Sequence, residues 1–148
     1  MGKIPSGLFI VTTAHDGLKA AYLASFVQQV SFSPLLFSVA CHPERYPYQL
    51  IQKSRRFALN LIPDGDQILL KTFAKGHGPE TDPFAGIAHE LIDGLPILKD
   101  AIGATLFDLV SEAKPGDHLL LFGAARKGVL FQDTAKAWVH VRKSALNY

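Results

Sequence analysis

The sequence predicts a mainly β protein with short helices, arranged as a small β-barrel with helical decoration. Three observations support this fold class. Short segments rich in β-branched and aromatic residues recur along the chain, Gly and Pro turn signals separate them, and only two brief segments have helical periodicity. The 148 residues, 48% of them hydrophobic, suffice for one core and are too few for two ordinary domains. We therefore expect residues 1–148 to form a single domain.

The first elements predict a hairpin that leads into an exposed strand edge. Residues 7–13 are rich in β-branched and aromatic side chains and run towards an Asp-Gly turn at Asp16 and Gly17. The return segment, residues 19–26, continues into residues 27–32, where small and polar side chains stand in place of Val and Ile. This composition indicates a strand edge or loop that another molecule approaches closely.

The middle of the chain predicts strand, helix and strand in that order. Residues 35–41 are apolar and predict a buried strand. In residues 47–53, Leu50 and Ile51 recur against polar neighbours, which is the pattern of a helix of one or two turns. Residues 56–62 alternate between apolar and polar side chains and predict a further strand.

The second half predicts a short helix, a loop and a long hairpin. Residues 64–66 can cap a helix. Its apolar stripe is expected from Ile68, Leu69, Leu70 and Phe73. Residues 76–86 are rich in Gly, Pro and polar side chains and predict a flexible loop. Two long apolar segments, residues 103–113 and 117–130, are joined by a Pro-Gly turn and predict a hairpin.

Charge and hydropathy exclude several classes of partner. A formal net charge of +2 argues against nucleic acid as the main partner. The longest apolar runs are too short to cross a bilayer, and the chain does not begin with a secretory signal pattern, so we expect a cytoplasmic protein with no membrane partner. The single cysteine, Cys41, excludes an internal disulfide and any multi-cysteine metal site.

Side chains alone do not form a convincing catalytic set. Cys41 and His42 are adjacent on a predicted strand and should point to opposite faces, so a thiolate–imidazole pair is not expected. The histidines lack metal-ligand spacing, and no nucleotide-binding or serine hydrolase motif occurs, so we predict no metal and no catalytic side chain. This is the pattern expected when a bound cofactor carries the reaction. Arg45 is either a phosphate partner or a solvated loop residue.

Five segments, taken together, resemble the flavin reductase-like family, whose fold is the FMN-binding split β-barrel. Their order and spacing match over nearly the whole chain. These segments are residues 21–34, 57–62, 73–75, 93–98 and 116–118. The ending, residues 140–148, looks most like the close of the flavin reductase domain of flavodiiron proteins, here expected to stand alone without diiron or flavodoxin-like parts.

The resemblance implies a homodimer with FMN at the subunit interface. The flavin ring would lie against Tyr22, Leu23, Ala24, Ser25 and Phe26, where small side chains let a planar ring approach the backbone. The family's usual Thr-Ala-Asn-Ser is replaced at positions 23–26, which reduces the polar side-chain contacts to the ring to Ser25. The remaining implied flavin contacts are Cys41, His42 and Arg45 towards the phosphate, and Phe73, Ala74 and Lys75 along the pocket border.

The same resemblance implies a nicotinamide substrate. Asp117 and His118 match the family's Gly-Asp-His motif, although the pair could equally close the hairpin turn. His140 lies where many members have a Tyr or His near the active site. The implied activity is FMN-dependent NAD(P)H:flavin oxidoreductase, with electrons passing to free flavin, oxygen or a protein acceptor. The alternatives are a flavoredoxin-like FMN electron-transfer protein without efficient NAD(P)H oxidation, and a split barrel that only binds a ligand.

Overall fold

The computed structural model describes residues 2–142 and is mainly β, as the sequence predicts. Its strands are β1 (Ser6–Gly7), β2 (Phe9–His15), β3 (Leu18–Ala24), β4 (Val27–Phe32), β5 (Leu35–Cys41), β6 (Arg56–Leu61), β7 (His89–Ile92), β8 (Leu95–Leu98), β9 (Gly103–Ala113), β10 (Leu119–Leu130) and β11 (Val139–His140). Its helices are α1 (Tyr46–Ser54) and α2 (Gln67–Ala74). Residues 143–148 of the family-like ending lie outside the described residues.

A seven-stranded antiparallel sheet in the order β3-β2-β6-β9-β10-β5-β4 forms the body of the molecule. The sheet is not closed into a barrel, which confirms a split barrel. Its two edge strands, β3 and β4, are consecutive in the chain. The edge position of β4 agrees with the strand edge predicted from the small and polar side chains of residues 27–32. Near the start of β4, two hydrogen bonds cross the split. The Ala40 amide donates to the Phe26 carbonyl at 3.0 Å, and the Tyr22 hydroxyl donates to the Ala40 carbonyl at 3.2 Å.

In the core beside the main sheet, aromatic rings pack around a glycine. Phe57 and Phe107 stack with ring centroids 5.2 Å apart and both are buried. A Cβ atom at Gly123 would lie 2.6 Å from Phe57 Cζ, so this strand position has to be glycine for the rings to pack. Asn60 is also fully buried, and its side chain hydrogen-bonds to strands β2 and β8.

Both predicted helices form, with one correction to the apolar stripe of α2. Asp66 caps α2 through hydrogen bonds from the amides of Ile68 and Leu69. Leu69 and Phe73 are buried, but Ile68 is 71% exposed, because it lies on the solvent side of the helix. No helix within residues 2–142 is long and apolar enough to cross a membrane.

Two small sheets were not predicted as elements. Strands β7 and β8 form a hairpin through Asp93 and Gly94, which have φ angles of 50° and 80° and belong to the family-like segment 93–98. Strand β11 pairs with β1, with His140 opposite Ser6. Strand β8 packs against the inner strands β2, β6 and β9, and the Trp138 amide before β11 donates to the Ile62 carbonyl at 3.0 Å. The chain towards residue 142 is therefore held against the barrel.

Candidate functional site

The open side of the sheet contains a small cavity of about 30 Å³, here called the split cavity. It lies between the end of β3 and the end of β5, next to the two hydrogen bonds that cross the split. Its lining residues are Tyr22, Leu23, Ala24, Ser25, Phe26, Ala40, Cys41, His42, Arg45 and His118. The structure therefore brings together the predicted ring-contacting stretch, the predicted loop contacts and one predicted nicotinamide contact.

A larger cavity of about 420 Å³, here called the helix cavity, adjoins the split cavity because both are lined by Tyr22 and Arg45. It extends along the start of α1 to residues 76–79 of the long loop. The other lining residues are Ala21, Glu44, Tyr46, Pro47, Gln49, Gly76, His77, Gly78 and Pro79. The sequence did not predict that residues 76–79 line this cavity, because the composition of a loop does not show which surface it covers.

Arg45 stands at the junction of the two cavities. It is half-buried, and its guanidinium lies 5.7 Å from the centroid of the Tyr22 ring. Arg45 is also the N-cap of α1, and no side-chain hydrogen bond caps that helix among the described residues. In α2, by contrast, the Asp66 carboxylate neutralises the first turn. A cation beside an uncapped helix N-terminus is a suitable place for a phosphate group.

Cys41 is a buried thiol in the wall of the split cavity. Burial raises its pKa to about 11, and this effect outweighs a hydrogen bond with Tyr22 and the charge of Arg45, both of which lower the pKa. The thiol is therefore protonated at neutral pH. His42, the next residue, is half-buried and lines the same cavity, so its contribution is a wall rather than a base for Cys41.

His118 lies in the split cavity with one ring nitrogen engaged. Its Nδ1 lies 2.9 Å from the Asp117 carboxylate, and this hydrogen bond lowers the pKa of the fully exposed Asp117. The His118 ring contacts His42 and Phe26 edge to face, with centroids 5.4 Å and 6.3 Å apart. Because Nδ1–H donates to the carboxylate, Nε2 is the acceptor of the neutral ring. Asp117 therefore orients His118 from outside the cavity.

Arg142 is a neighbour of the site that the sequence did not indicate. Its guanidinium lies over the Phe26 ring, 4.7 Å from the ring centroid. His140, which was predicted near the active site, lies two residues earlier on β11 and lines neither cavity. Arg142, which follows β11, therefore contacts the site. The sequence around Phe26 could not predict this contact, because Arg142 is far away along the chain.

The predicted segment 73–75 is not part of either cavity. Phe73 is fully buried and packs against Phe84 in a separate part of the core, with ring centroids 5.9 Å apart. Ala74 and Lys75 are exposed at the end of α2, directly before Gly76 of the helix cavity. The side chain of Phe73 points into the core because it belongs to the buried stripe of α2. Flavin contact by Ala74 or Lys75 stays a prediction.

Comparisons with known proteins agree with this fold. Residues 1–145 match the family model described as flavin reductase like domain. The chain is 35% identical over its whole length to a putative diflavin flavoprotein of Nostoc sp. and 36% identical over 97% of its length to a diflavin flavoprotein of Synechocystis sp.. It covers 26% and 25% of those two proteins, so it spans about a quarter of their length.

Solved structures share the fold. An NADH:FAD oxidoreductase of Streptomyces globisporus superimposes with a TM-score of 0.88 at 20% identity, over 95% of this chain and 84% of that one. An FMN-binding protein of Thermus thermophilus superimposes with a TM-score of 0.79 at 28% identity, over 85% of this chain and 71% of that one. At 20% identity the first likeness concerns the fold alone.

Proposed function

Because the chain belongs to the flavin reductase-like family, we propose that it is an FMN-dependent NAD(P)H:flavin oxidoreductase. The observation that carries the proposal is that the split cavity and the helix cavity adjoin each other and share Tyr22 and Arg45 as lining residues. One end offers edge-strand backbone and small side chains to a flat ring. The other end offers a guanidinium and an uncapped helix terminus to a phosphate.

The residues present fit a bound FMN. Strand β3 lies at the edge of the sheet and its end lines the split cavity, which places its backbone close to the polar edge of a flavin ring bound there. Ala24 and Ser25 are small and buried, which lets a ring approach that backbone. Arg45 would hold the phosphate with a charge-assisted bond. When bound, the flavin accepts a hydride from a reduced nicotinamide and passes the electrons onwards.

The protein's own contribution is to orient the reactants and exclude competing chemistry. The protonated thiol of Cys41 is a weak nucleophile at neutral pH and forms an apolar wall. His118, held by Asp117, presents Nε2 as a hydrogen-bond acceptor towards a carboxamide of the nicotinamide. Phe26, 41% exposed and lying under Arg142, offers an aromatic surface at the mouth of the split cavity.

We also propose that the molecule is a homodimer in which the partner covers the flavin. The split cavity, at about 30 Å³, is too small to enclose a whole flavin ring. The adjoining β4–β5 hairpin exposes Val30, Phe32 and Leu35, and Phe32 is 90% exposed. These apolar side chains lie towards the tip of the hairpin, whose base borders the split cavity, and such an exposed surface is suited to contact with a second copy. Light scattering at micromolar concentration should give twice the mass of the FMN-bound chain; a monomer that retains FMN contradicts this arrangement.

An anaerobic titration tests the proposed activity directly. The purified chain, loaded with FMN, should lose its absorbance near 450 nm when NADH or NADPH is added, and the rates should identify the preferred nicotinamide. Added free FMN or FAD should then support steady turnover. If dithionite bleaches the bound flavin and neither nicotinamide does, the flavoredoxin-like electron-transfer function is correct instead. If FMN does not bind at all, both flavin functions are wrong.

A further inference from the structure

A second large cavity, of about 550 Å³, lies at the other end of β3. It is formed by the β2–β3 turn, the last turn of α1, the start of β6 and the β7–β8 hairpin. The lining residues are Ala14, His15, Asp16, Gly17, Lys19, Lys53, Ser54, Arg56, His89, Leu91 and Gly94. Lys19 and Ala24 are five residues apart on one strand, which separates the two ends of β3 by roughly 17 Å. We call this space the cationic cavity.

Positive charge dominates the lining of this cavity. Lys19, Lys53 and Arg56 are the basic side chains of the lining, whereas the one carboxylate in the lining belongs to Asp16. The Asp16 side chain is 84% exposed and lies 3.3 Å from His15 Nε2, on the turn at the rim. The cations therefore face the cavity with little compensating charge inside it.

Two of these cations lack a carboxylate partner. Among residues 2–142, no Asp or Glu oxygen lies within 4 Å of the side-chain nitrogens of Lys53 or Arg56. Asp108 stands opposite Arg56 in the β6–β9 ladder, but its carboxylate pairs with Arg126 at 3.3 Å. The half-buried guanidinium of Arg56 thus keeps its bidentate donor set for another molecule.

The third cation is fixed at the wall by neighbouring groups. Lys19 Nζ lies 3.1 Å from His89 Nε2 and 5.1 Å from the centroid of the Phe84 ring. His89 Nδ1 lies 2.8 Å from the Ile87 carbonyl, so Nδ1 donates there and Nε2 accepts from the ammonium. Asp82, 53% exposed, is 3.7 Å from Lys19 Nζ and compensates its charge only in part. Lys19 is therefore held in place beside Lys53 and Arg56.

We propose that the cationic cavity binds the phosphate group of a small organic phosphate, at a site separate from the proposed flavin phosphate site. A guanidinium and two ammonium groups around one space match a doubly charged phosphate better than a single carboxylate, since each oxygen can accept from a different cation. The volume lies in the range of ligand pockets and accommodates a mononucleotide. The ligand is thus an organic phosphate, up to a nucleotide in size.

The first test uses inorganic pyrophosphate as the probe and backbone amide NMR shifts as the readout. The ¹⁵N-labelled chain, saturated with FMN and held at roughly 150 mM NaCl to screen non-specific attraction, is titrated with pyrophosphate. Saturable shifts are expected at residues 15–19, 53–56 and 89–94, with residues 22–26 unchanged. Shifts confined to residues 22–26 and 45–48, or non-saturating shifts at exposed lysines generally, overturn the proposal.

Charge-removing variants test which side chains bind the probe. Arg56→Gln and Lys53→Gln should each weaken pyrophosphate binding at least tenfold, because each removes a charge-assisted bond. The matched controls Lys99→Gln and Lys136→Gln remove exposed lysines that do not line the cavity and should leave binding unchanged. Equal affinities for all four variants contradict the assignment. Repeating the titration with 5′-AMP and with adenosine shows whether the cavity accepts a nucleotide, which requires binding of the first and not the second.

Discussion

The two ends of strand β3 carry cavities of opposite character. At the end near Ala24 and Ser25, the walls are buried small side chains, edge backbone and a protonated thiol, with Arg45 as the cation at the junction with the helix cavity. At the end near Lys19, three cations surround the cavity. A flat, largely uncharged ring gains most from close approach, whereas a compact anion gains from several donors at once. If both proposals are correct, one strand would serve two kinds of ligand because its side chains change over five positions.

The largest expected effect concerns the framework that both ends share. Asn60 is fully buried; its amide nitrogen donates to the Ile10 carbonyl and to Thr12 Oγ1, and its oxygen accepts from the Leu98 amide. Asn60→Ala removes three buried hydrogen bonds and should lower the free energy of unfolding by about 3 to 4 kcal/mol. Urea denaturation measures this, with Gln67→Ala on an exposed helix position expected within about 0.5 kcal/mol of the parent. A small effect of Asn60→Ala shows that the framework is held elsewhere.

The second prediction concerns the buried, low-polarity character of the split cavity. The thiol of Cys41 ionises near 9.0 when unfolded and at about 11 in the folded protein, so the folded state retains the proton longer. Stability should therefore decrease as pH rises from about 9 to about 11, by about 2 to 3 kcal/mol from this group. Urea midpoints across that range should fall less steeply for Cys41→Ala. Parallel slopes for the two proteins argue that water reaches the thiol.

The third prediction tests Arg45 as the phosphate contact. Arg45→Ala should weaken FMN binding by about 1.5 to 3 kcal/mol and leave riboflavin binding nearly unchanged, because riboflavin lacks the phosphate. Fluorescence titration with both flavins measures the difference, and Arg126→Ala is the matched control, since Arg126 lines neither cavity at this end. An equal loss of affinity for FMN and riboflavin indicates that Arg45 has a packing role. An unchanged affinity for FMN means that Arg45 does not contact the phosphate, and Lys75 is then the next candidate.

The fourth prediction separates the two interpretations of His118. Its contacts within the described chain are the exposed Asp117 and two ring edges, so His118→Ala should cost less than about 1 kcal/mol of stability. Reduction of bound FMN by NAD(P)H should slow about tenfold, with FMN affinity unchanged, if the ring seats the nicotinamide. Anaerobic stopped-flow and thermal unfolding on one preparation measure both. Parental reduction kinetics in a destabilised variant leave His118 as a hairpin residue.

The smallest effect tests whether the two ends of β3 are independent. Lys53→Gln removes a cation from the cationic cavity. Lys53 lies in the last turn of α1, eight residues and roughly 12 Å along the helix from its N-cap Arg45, so physiological salt should screen much of the charge. FMN binding should change by less than about 0.5 kcal/mol at physiological ionic strength. The same fluorescence titration measures this. A larger loss shows that the electrostatic field of the cationic cavity extends to the flavin end, and that the two regions act as one site.

The sequence by itself determined the fold class and the faces of most elements, because these follow from local rules. The Asp16–Gly17 turn has φ angles of 48° and 78°, as an Asp-Gly hairpin turn requires, and α2 begins at its Asp66 cap. The apolar strand pattern placed Cys41 in the core, but the expected opposite faces for Cys41 and His42 are wrong, because β5 ends at Cys41 and both residues line the split cavity. The ordered family segments indicated the flavin reductase-like family before any geometry was known.

Only the tertiary structure decided which side chains meet. Phe73 belongs to a family-like segment but is buried in the core, while Arg142 contacts Phe26 from more than a hundred residues away. Arg56 and Arg126 look alike in the sequence, yet Asp108 pairs with Arg126 and leaves Arg56 to the cationic cavity. Such partnerships depend on sheet register and loop paths, which arise from long-range packing and have no local signature.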